Sequence, residues 1–184
     1  MSVNLGKGQK VSLTKGNPGL SDIIVGLGWN VSAGAFDLDA SAFLLAASGQ
    51  VSDPKDFVFY GNLTHPSGSV AHIGASSEDR EQIRLELSKV PGSVMRIAFT
   101  ATIYDGDSKG QTFGQVRNAY IRILDASSNS ELVRYDLDAS LSNDTAVVFG
   151  ELYRNNGEWK FNAMGSGSRG GLAALCGVYG IEVG

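Results

Sequence analysis

The pentapeptide Asp-Leu-Asp-Ala-Ser occurs twice, at Asp37–Ser41 and at Asp136–Ser140, each time directly after an aromatic residue, Phe36 or Tyr135. In an extended strand, residues i and i+2 project to the same face, about 6.5–7 Å apart. Asp37 and Asp39 therefore point together, as do Asp136 and Asp138. Like charges on one face repel unless a cation lies beside them. The repeat thus asks for two extended segments carrying paired carboxylates, and for a hard, oxygen-seeking cation, above all calcium, to neutralise them. It also suggests two halves of the chain related by an internal two-fold.

Strand-like patterns recur along the chain at Lys10–Thr14, Ile23–Trp29, Phe36–Leu45, Asp56–Tyr60, Gln82–Leu87, Met95–Tyr104, Ala119–Leu124, Leu132–Leu137, Ala146–Tyr153 and Glu158–Ala163. In Met95–Tyr104, Ile97, Phe99, Ala101 and Ile103 alternate with less apolar neighbours, which predicts a half-buried strand. Phe36–Leu45 is apolar on both faces after its acidic start, as a central strand of a sandwich is. Helix signals are confined to Ser108–Arg117, interrupted by Gly110 and Gly114, and to Gly171–Tyr179. Glycine is abundant (24 residues) and scattered between apolar stretches, which suits turns rather than a linker. The expected fold is all-β: an antiparallel β-sandwich with an internal pseudo-two-fold repeat and one or two short helices, one of them C-terminal. With no linker in sight, residues 1–184 read as a single domain.

A net charge of −4 argues against a nucleic-acid partner, which wants a basic stripe. No apolar run approaches the roughly 20 residues of a membrane span, and the first residues lack the apolar core of a secretory signal. The expected location is the cytoplasm. Cys176 is the only cysteine and His65 and His72 the only histidines, too few soft ligands for structural zinc. Cys176 sits in an apolar helical pattern and reads as a buried small hydrophobe. Gly165-Ser-Gly-Ser-Arg-Gly170 matches a dinucleotide fingerprint, but no second strand and no acidic residue follow at the required distance. It reads as a connection into the terminal helix. No acyl-transfer motif and no sign of a raised-pKa glycosidic acid is present, so the chain is not expected to be an enzyme.

Carboxylates gather at strand ends in four groups. Asp37 and Asp39 have Asn62 as a candidate amide ligand. Glu78, Asp79 and Glu81 form the second group, and Asp105 with Asp107 the third. Asp136 and Asp138, with Asn143 and Asp144, form the fourth. Calcium takes roughly six to eight oxygens, which several loops meeting at one end of a sandwich can supply. The alternative is that these acids simply face water in turns. An EF-hand fails: counted from Asp105, the glycine is misplaced and Val116 stands where the bidentate Glu belongs.

Over almost its whole length the chain resembles the TerD family of tellurite-resistance and stress proteins. The resemblance is carried by Lys10-Val-Ser-Leu-Thr-Lys15, Val25-Gly-Leu-Gly-Trp29, Phe36-Asp-Leu-Asp-Ala-Ser41, Phe57-Val-Phe-Tyr60 with Asn62-Leu63, and Leu87-Ser-Lys-Val90. It continues through Phe113-Gly-Gln-Val-Arg-Asn-Ala119, Leu132-Val-Arg-Tyr-Asp-Leu-Asp138 and Phe149-Gly-Glu-Leu-Tyr-Arg154 with Gly157-Glu-Trp-Lys-Phe161. It implies a calcium-binding β-sandwich with a cytoplasmic, non-enzymatic role in resistance to tellurite and other stresses. The implied metal residues are Asp37, Asp39, Asn62, Asp79, Glu81, Asp105, Asp107, Asp136 and Asp138. Protein partners in a stress-resistance complex are implied as well.

One segment departs from the family pattern. Gly74-Ala-Ser-Ser-Glu-Asp-Arg-Glu81 is shorter than the usual acidic loop, with Ala75 and Arg80 where the family has aspartates. Two readings follow. In one, calcium is retained at weakened sites and knits the loops together. In the other, Arg80 pairs with a would-be ligand in place of the ion, and the sandwich serves as a protein-interaction module in a stress complex at the membrane.

Overall fold

A computed structural model describes residues 2–31, 38–76, 78–137 and 143–181. Twelve strands and two short helices order these residues: β1 Val3–Leu5, β2 Lys10–Ser12, β3 Asp22–Val31, β4 Leu38–Leu45, β5 Phe57–Val58, β6 Val70–Gly74, β7 Glu81–Glu86, β8 Arg96–Ile103, α1 Gly106–Lys109, β9 Val116–Asp125, β10 Ser130–Asp136, β11 Ala146–Asn155, β12 Glu158–Ser168 and α2 Gly171–Tyr179. They form two six-stranded sheets, β1-β10-β9-β3-β7-β6 and β2-β12-β11-β8-β4-β5. Every pairing is antiparallel except that of β1 with β10. The architecture is the expected β-sandwich with a C-terminal helix.

The core between the sheets follows from the period-two patterning of the strands. Ile23, Val25 and Leu27 of β3, Ile121 and Ile123 of β9, and Ile83 and Leu85 of β7 meet Ala40, Ala42 and Leu44 of β4, Ile97, Phe99 and Ala101 of β8, and Phe161 of β12. Trp29 and Trp159 belong to the same cluster. A second cluster lies on the outer face of the second sheet, where Phe43, Leu45, Phe57, Ala98, Ala146 and Val148 are covered by Leu175, Cys176 and Tyr179 of α2.

That covering changes two expectations. β8 is buried from Ile97 to Ile103 rather than half-buried, because α2 shields what would otherwise be its solvent face. β4 is apolar on both faces for the same reason. It is not central but second from the edge, with only the two-residue β5 outside it. The Ser108–Arg117 signal resolves into α1 and a 3-10 turn at Phe113–Gln115, whereas Gly171–Tyr179 is helical as expected.

Strand directions fix where the acidic segments lie. β3 and β10 are both antiparallel to β9, and so run the same way. β4 and β11 are both antiparallel to β8. After β3, and again after β10, the chain passes from the first sheet to the second; residues 38–41 of the first Asp-Leu-Asp-Ala-Ser copy begin β4, and Asp136 of the second copy ends β10. The end of β8 pairs with the start of β4, Ile103 opposite Leu38. The start of β7 pairs with β3 near its end, Glu81 opposite Leu27. Backbone hydrogen bonds join the connectors: Phe113 donates to Asp144 and Ile103 to Thr145. All the acidic segments therefore meet at one end of the sandwich.

Docking of α2 rests on an aromatic column in which Phe43 lies 4.4 Å from Phe57 and 4.6 Å from Tyr179, centroid to centroid. We expect Phe43→Ala to cost about 3–5 kcal/mol in urea unfolding, and to increase hydrogen exchange across Gly171–Tyr179. Unchanged exchange there would separate the helix from the column.

Candidate functional site

Three of the expected acids face one cleft at the acidic end. Asp39, in the second position of β4, is opposite Thr102 of β8. Asp105 and Asp107 follow β8 directly. The three carboxylates line a cleft of about 200 Å³ together with Tyr60, Thr102 and Thr145. Its shape follows from the chain just beyond β8. Asp105 adopts the left-handed conformation, φ 57°, which Asp tolerates better than most side chains. That reverses the backbone into α1, where Ser108 Oγ and the Lys109 amide donate to the Asp105 carbonyl at 3.1 Å each. Lys109 leans over the exposed Tyr104 ring, 5.6 Å from its centroid. The far wall is the start of α2, whose Gly171 amide donates to Thr145 Oγ1 at 3.0 Å. The donors are oxygens, the set a hard cation such as calcium takes. Among the described residues, however, no group of three or more His, Cys, Asp and Glu side chains stands close enough to hold an ion jointly.

Asp79 is placed differently. It is 1 % exposed and lies on the outer face of the first sheet. Arg122 of β9 donates to it through Nε and Nη2, both at 2.9 Å. Tyr120 donates its hydroxyl at 2.7 Å and Gln82 its amide at 2.8 Å. Burial alone would raise the carboxyl's pKa. The hydrogen bonds from Arg122, Gln82 and Tyr120 outweigh it and hold the acid below its ordinary value. Burial and the adjacent Asp79 push the Tyr120 hydroxyl up to about 12, so it stays a donor. Arg122 also reaches Glu78 at 3.1 Å, and Arg134 stacks on Tyr120, 4.1 Å from its centroid.

Space for this cluster comes from β3. A Cβ at Gly26 would sit 2.3 Å from Asp79 Oδ2, and one at Gly28 2.2 Å from the Tyr120 ring. Both glycines project to the face opposite Val25 and Leu27, so the bare backbone is the floor on which carboxylate and phenol lie. The shortened loop closes on itself: the Ser76 amide donates to the Asp79 carbonyl and the Asp79 amide to Ser76 Oγ, both at 2.9 Å.

The other candidates are dispersed. The Asn62 amide nitrogen donates to the carbonyls of Lys55 and Phe57 at 3.2 and 2.9 Å, fastening its own turn. Glu81 lies 3.4 Å from His72. Asp136 is held by Arg134 at 3.1 Å. Asp37 and Asp138 lie outside the described residues. Arg80 forms no ion pair among the described residues; its Nε donates to the Trp29 carbonyl at 3.2 Å. The pairing expected of Arg80 falls to Arg122.

A TerD domain model matches residues 1–179. The chain belongs to the TerD family. It is 49% identical to general stress protein 16U of Bacillus subtilis over the full length of both chains. To the tellurium resistance protein TerD of Serratia marcescens it is 48% identical over 99% of each. The crystal structure of a telluride-resistance homologue from Streptomyces coelicolor shares the fold, with a TM-score of 0.67 at 22% identity over 85% of this chain and 95% of that one.

In this TerD chain the residues that sequence reasoning passed over are Arg122, Tyr120 and Gln82. The signal was the Gly26-x-Gly28 alternation inside an apolar strand, which marks a close approach on one face. Nothing in the sequence named what approaches.

Breaking this cluster has a signed consequence. We expect Asp79→Asn to cost about 3 kcal/mol near neutrality, the low end for a broken buried pair because Arg122 keeps Glu78. A carboxyl with a depressed folded pKa stabilises above its unfolded pKa of about 3.9, and the contribution is lost as pH falls through the lower folded value. The gap between the parent and Asp79→Asn in urea unfolding should therefore close only below about pH 4. A gap independent of pH from 7 to 2 would contradict the assignment.

Proposed function

We propose that this protein is a calcium-binding, non-enzymatic stress-response protein of the tellurium-resistance type, acting in the cytoplasm. The cation is taken up at the cleft of Asp39, Asp105 and Asp107, where further oxygens must join because these three carboxylates do not by themselves stand close enough to hold it. The observation that carries this reading is the convergence: two crossings between the sheets, the end of β8 and the start of β7 bring every acidic segment to one end. Oxygen donors on several connectors suit calcium, whose coordination is irregular and many-membered. Asp37 and Asp138, neighbours of described acids in sequence, are the carboxylates to test as further ligands. The names of the relatives, a tellurium resistance protein and a general stress protein, support the physiological side.

A second reading has its own support. The most buried acid among the described residues, Asp79, is saturated by Arg122, Tyr120 and Gln82, so the segment that departs from the family pattern holds itself together with protein groups. On this reading the chain is an interaction module of a membrane-associated stress complex and needs no ion.

Thermal unfolding of EDTA-stripped protein with calcium or magnesium separates the two. An ion at about 100 times its Kd adds about 2.7 kcal/mol, which for a domain of this size raises Tm by roughly 5–10 °C. We expect that rise with calcium, little with magnesium, and its loss in Asp39→Asn or Asp37→Asn. No rise with either ion would favour the interaction module.

A further inference from the structure

The outer face of the second sheet is only partly covered by α2. Beyond the helix, at the end opposite the acidic loops, β2 and the β11–β12 hairpin frame a shallow cleft of about 300 Å³ lined by Lys10, Ser12, Lys15, Tyr153, Glu158 and Lys160. The register puts these groups on one face. Tyr153 is opposite Lys160 and Lys160 opposite Ser12, with Lys10 two residues before Ser12. Glu158 is engaged by Ser12 Oγ at 2.7 Å. Lys10 lies over Tyr153, 6.0 Å from its centroid. The nearby Glu151 is held by Arg96 at 3.2 Å. Among the described residues, Lys10, Lys15 and Lys160 make no ion pair.

Three ammonium groups against Glu158, with the neighbouring Glu151 shared between Arg96 and Lys10, make this cleft locally positive in a chain of net charge −4. Soluble surfaces ordinarily intersperse the two signs, and like charges gathered on one sheet face repel. A polyvalent anion removes that repulsion. Lysine is a compact point charge with three donors, well suited to phosphate oxygens and without the planar preference of arginine for carboxylates. We propose that this cleft binds a phosphate group of a small polyvalent phosphate, with Lys10, Lys15 and Lys160 supplying charge and Tyr153 forming the wall. The site is separate from the acidic cleft and does not depend on calcium uptake.

Titration calorimetry at constant ionic strength tests this, with pyrophosphate as the probe and EDTA-stripped protein so that the probe's own affinity for calcium plays no part. We expect saturable one-to-one binding that weakens at least tenfold in Lys10→Gln/Lys15→Gln/Lys160→Gln. It should persist in Lys55→Gln/Lys89→Gln/Arg117→Gln, which has the same net charge. A parallel arm uses phosphatidylcholine vesicles with and without phosphatidic acid. Lysine-dependent binding to phosphatidic acid but not to pyrophosphate would support the site with a lipid phosphate as its source. Absence of binding in both arms, or equal loss in the two triple variants, would overturn the proposal. Circular dichroism and Tm of both variants establish that they are folded.

Discussion

The arrangement of the acidic end depends on one buried ion pair. Asp79 and Arg122 meet in a two-point contact, 2.9 Å on each side, over the bare backbone of Gly26. Removing a carboxylate and a guanidinium from water is expensive, and such pairs add little net stability compared with an apolar substitute. Once one partner is in place, however, the other has nowhere else to go. The pair fixes where the 74–81 segment crosses the first sheet, and Tyr120, Gln82 and Glu78 complete the satisfaction of both charges. A loop without a glycine-rich turn or an aspartate at Arg80 can thus hold a defined path.

On this anchored frame the two crossings between the sheets act as the organising device. The first Asp-Leu-Asp-Ala-Ser copy runs into β4 and the second leaves β10, and β8 delivers Asp105 and Asp107 between them. The sandwich thus carries an acid-lined cleft at one end and, at the other, a cleft whose three lysines make no ion pair among the described residues, with α2 on the outer face of the second sheet between.

Much of this was legible in the sequence. Period-two patterns located ten of the strands because half-buried strands must alternate, and the C-terminal helix was read at its observed bounds. The edge strands β1 and β6 were missed because three and five residues carry too little pattern. The burial of β8 on both faces was missed because the covering helix comes 68 residues later in the chain than Ile103. The convergence of carboxylates was legible from the repeat; their division was not. Asp79 and Asp39 look alike in sequence, and only the pairing of β3 with β7 and β9 shows that one lies beneath Arg122 while the other faces a cleft. Arg80 drew attention as the unusual cation, yet its guanidinium binds a backbone carbonyl. Arg122, ordinary within its strand, does the neutralising.

The acids at this end divide into two classes: Asp39, Asp105 and Asp107 line an open cleft, whereas Asp79 is buried and saturated by Arg122, Tyr120 and Gln82. Carbon-detected NMR of the side-chain carboxyls during a calcium titration tests that division directly. The account predicts that the signals of Asp39, Asp105 and Asp107 move with calcium while that of Asp79 stays fixed. Movement of Asp79 together with loss of its contact to Arg122, or no movement of the other three, would contradict it.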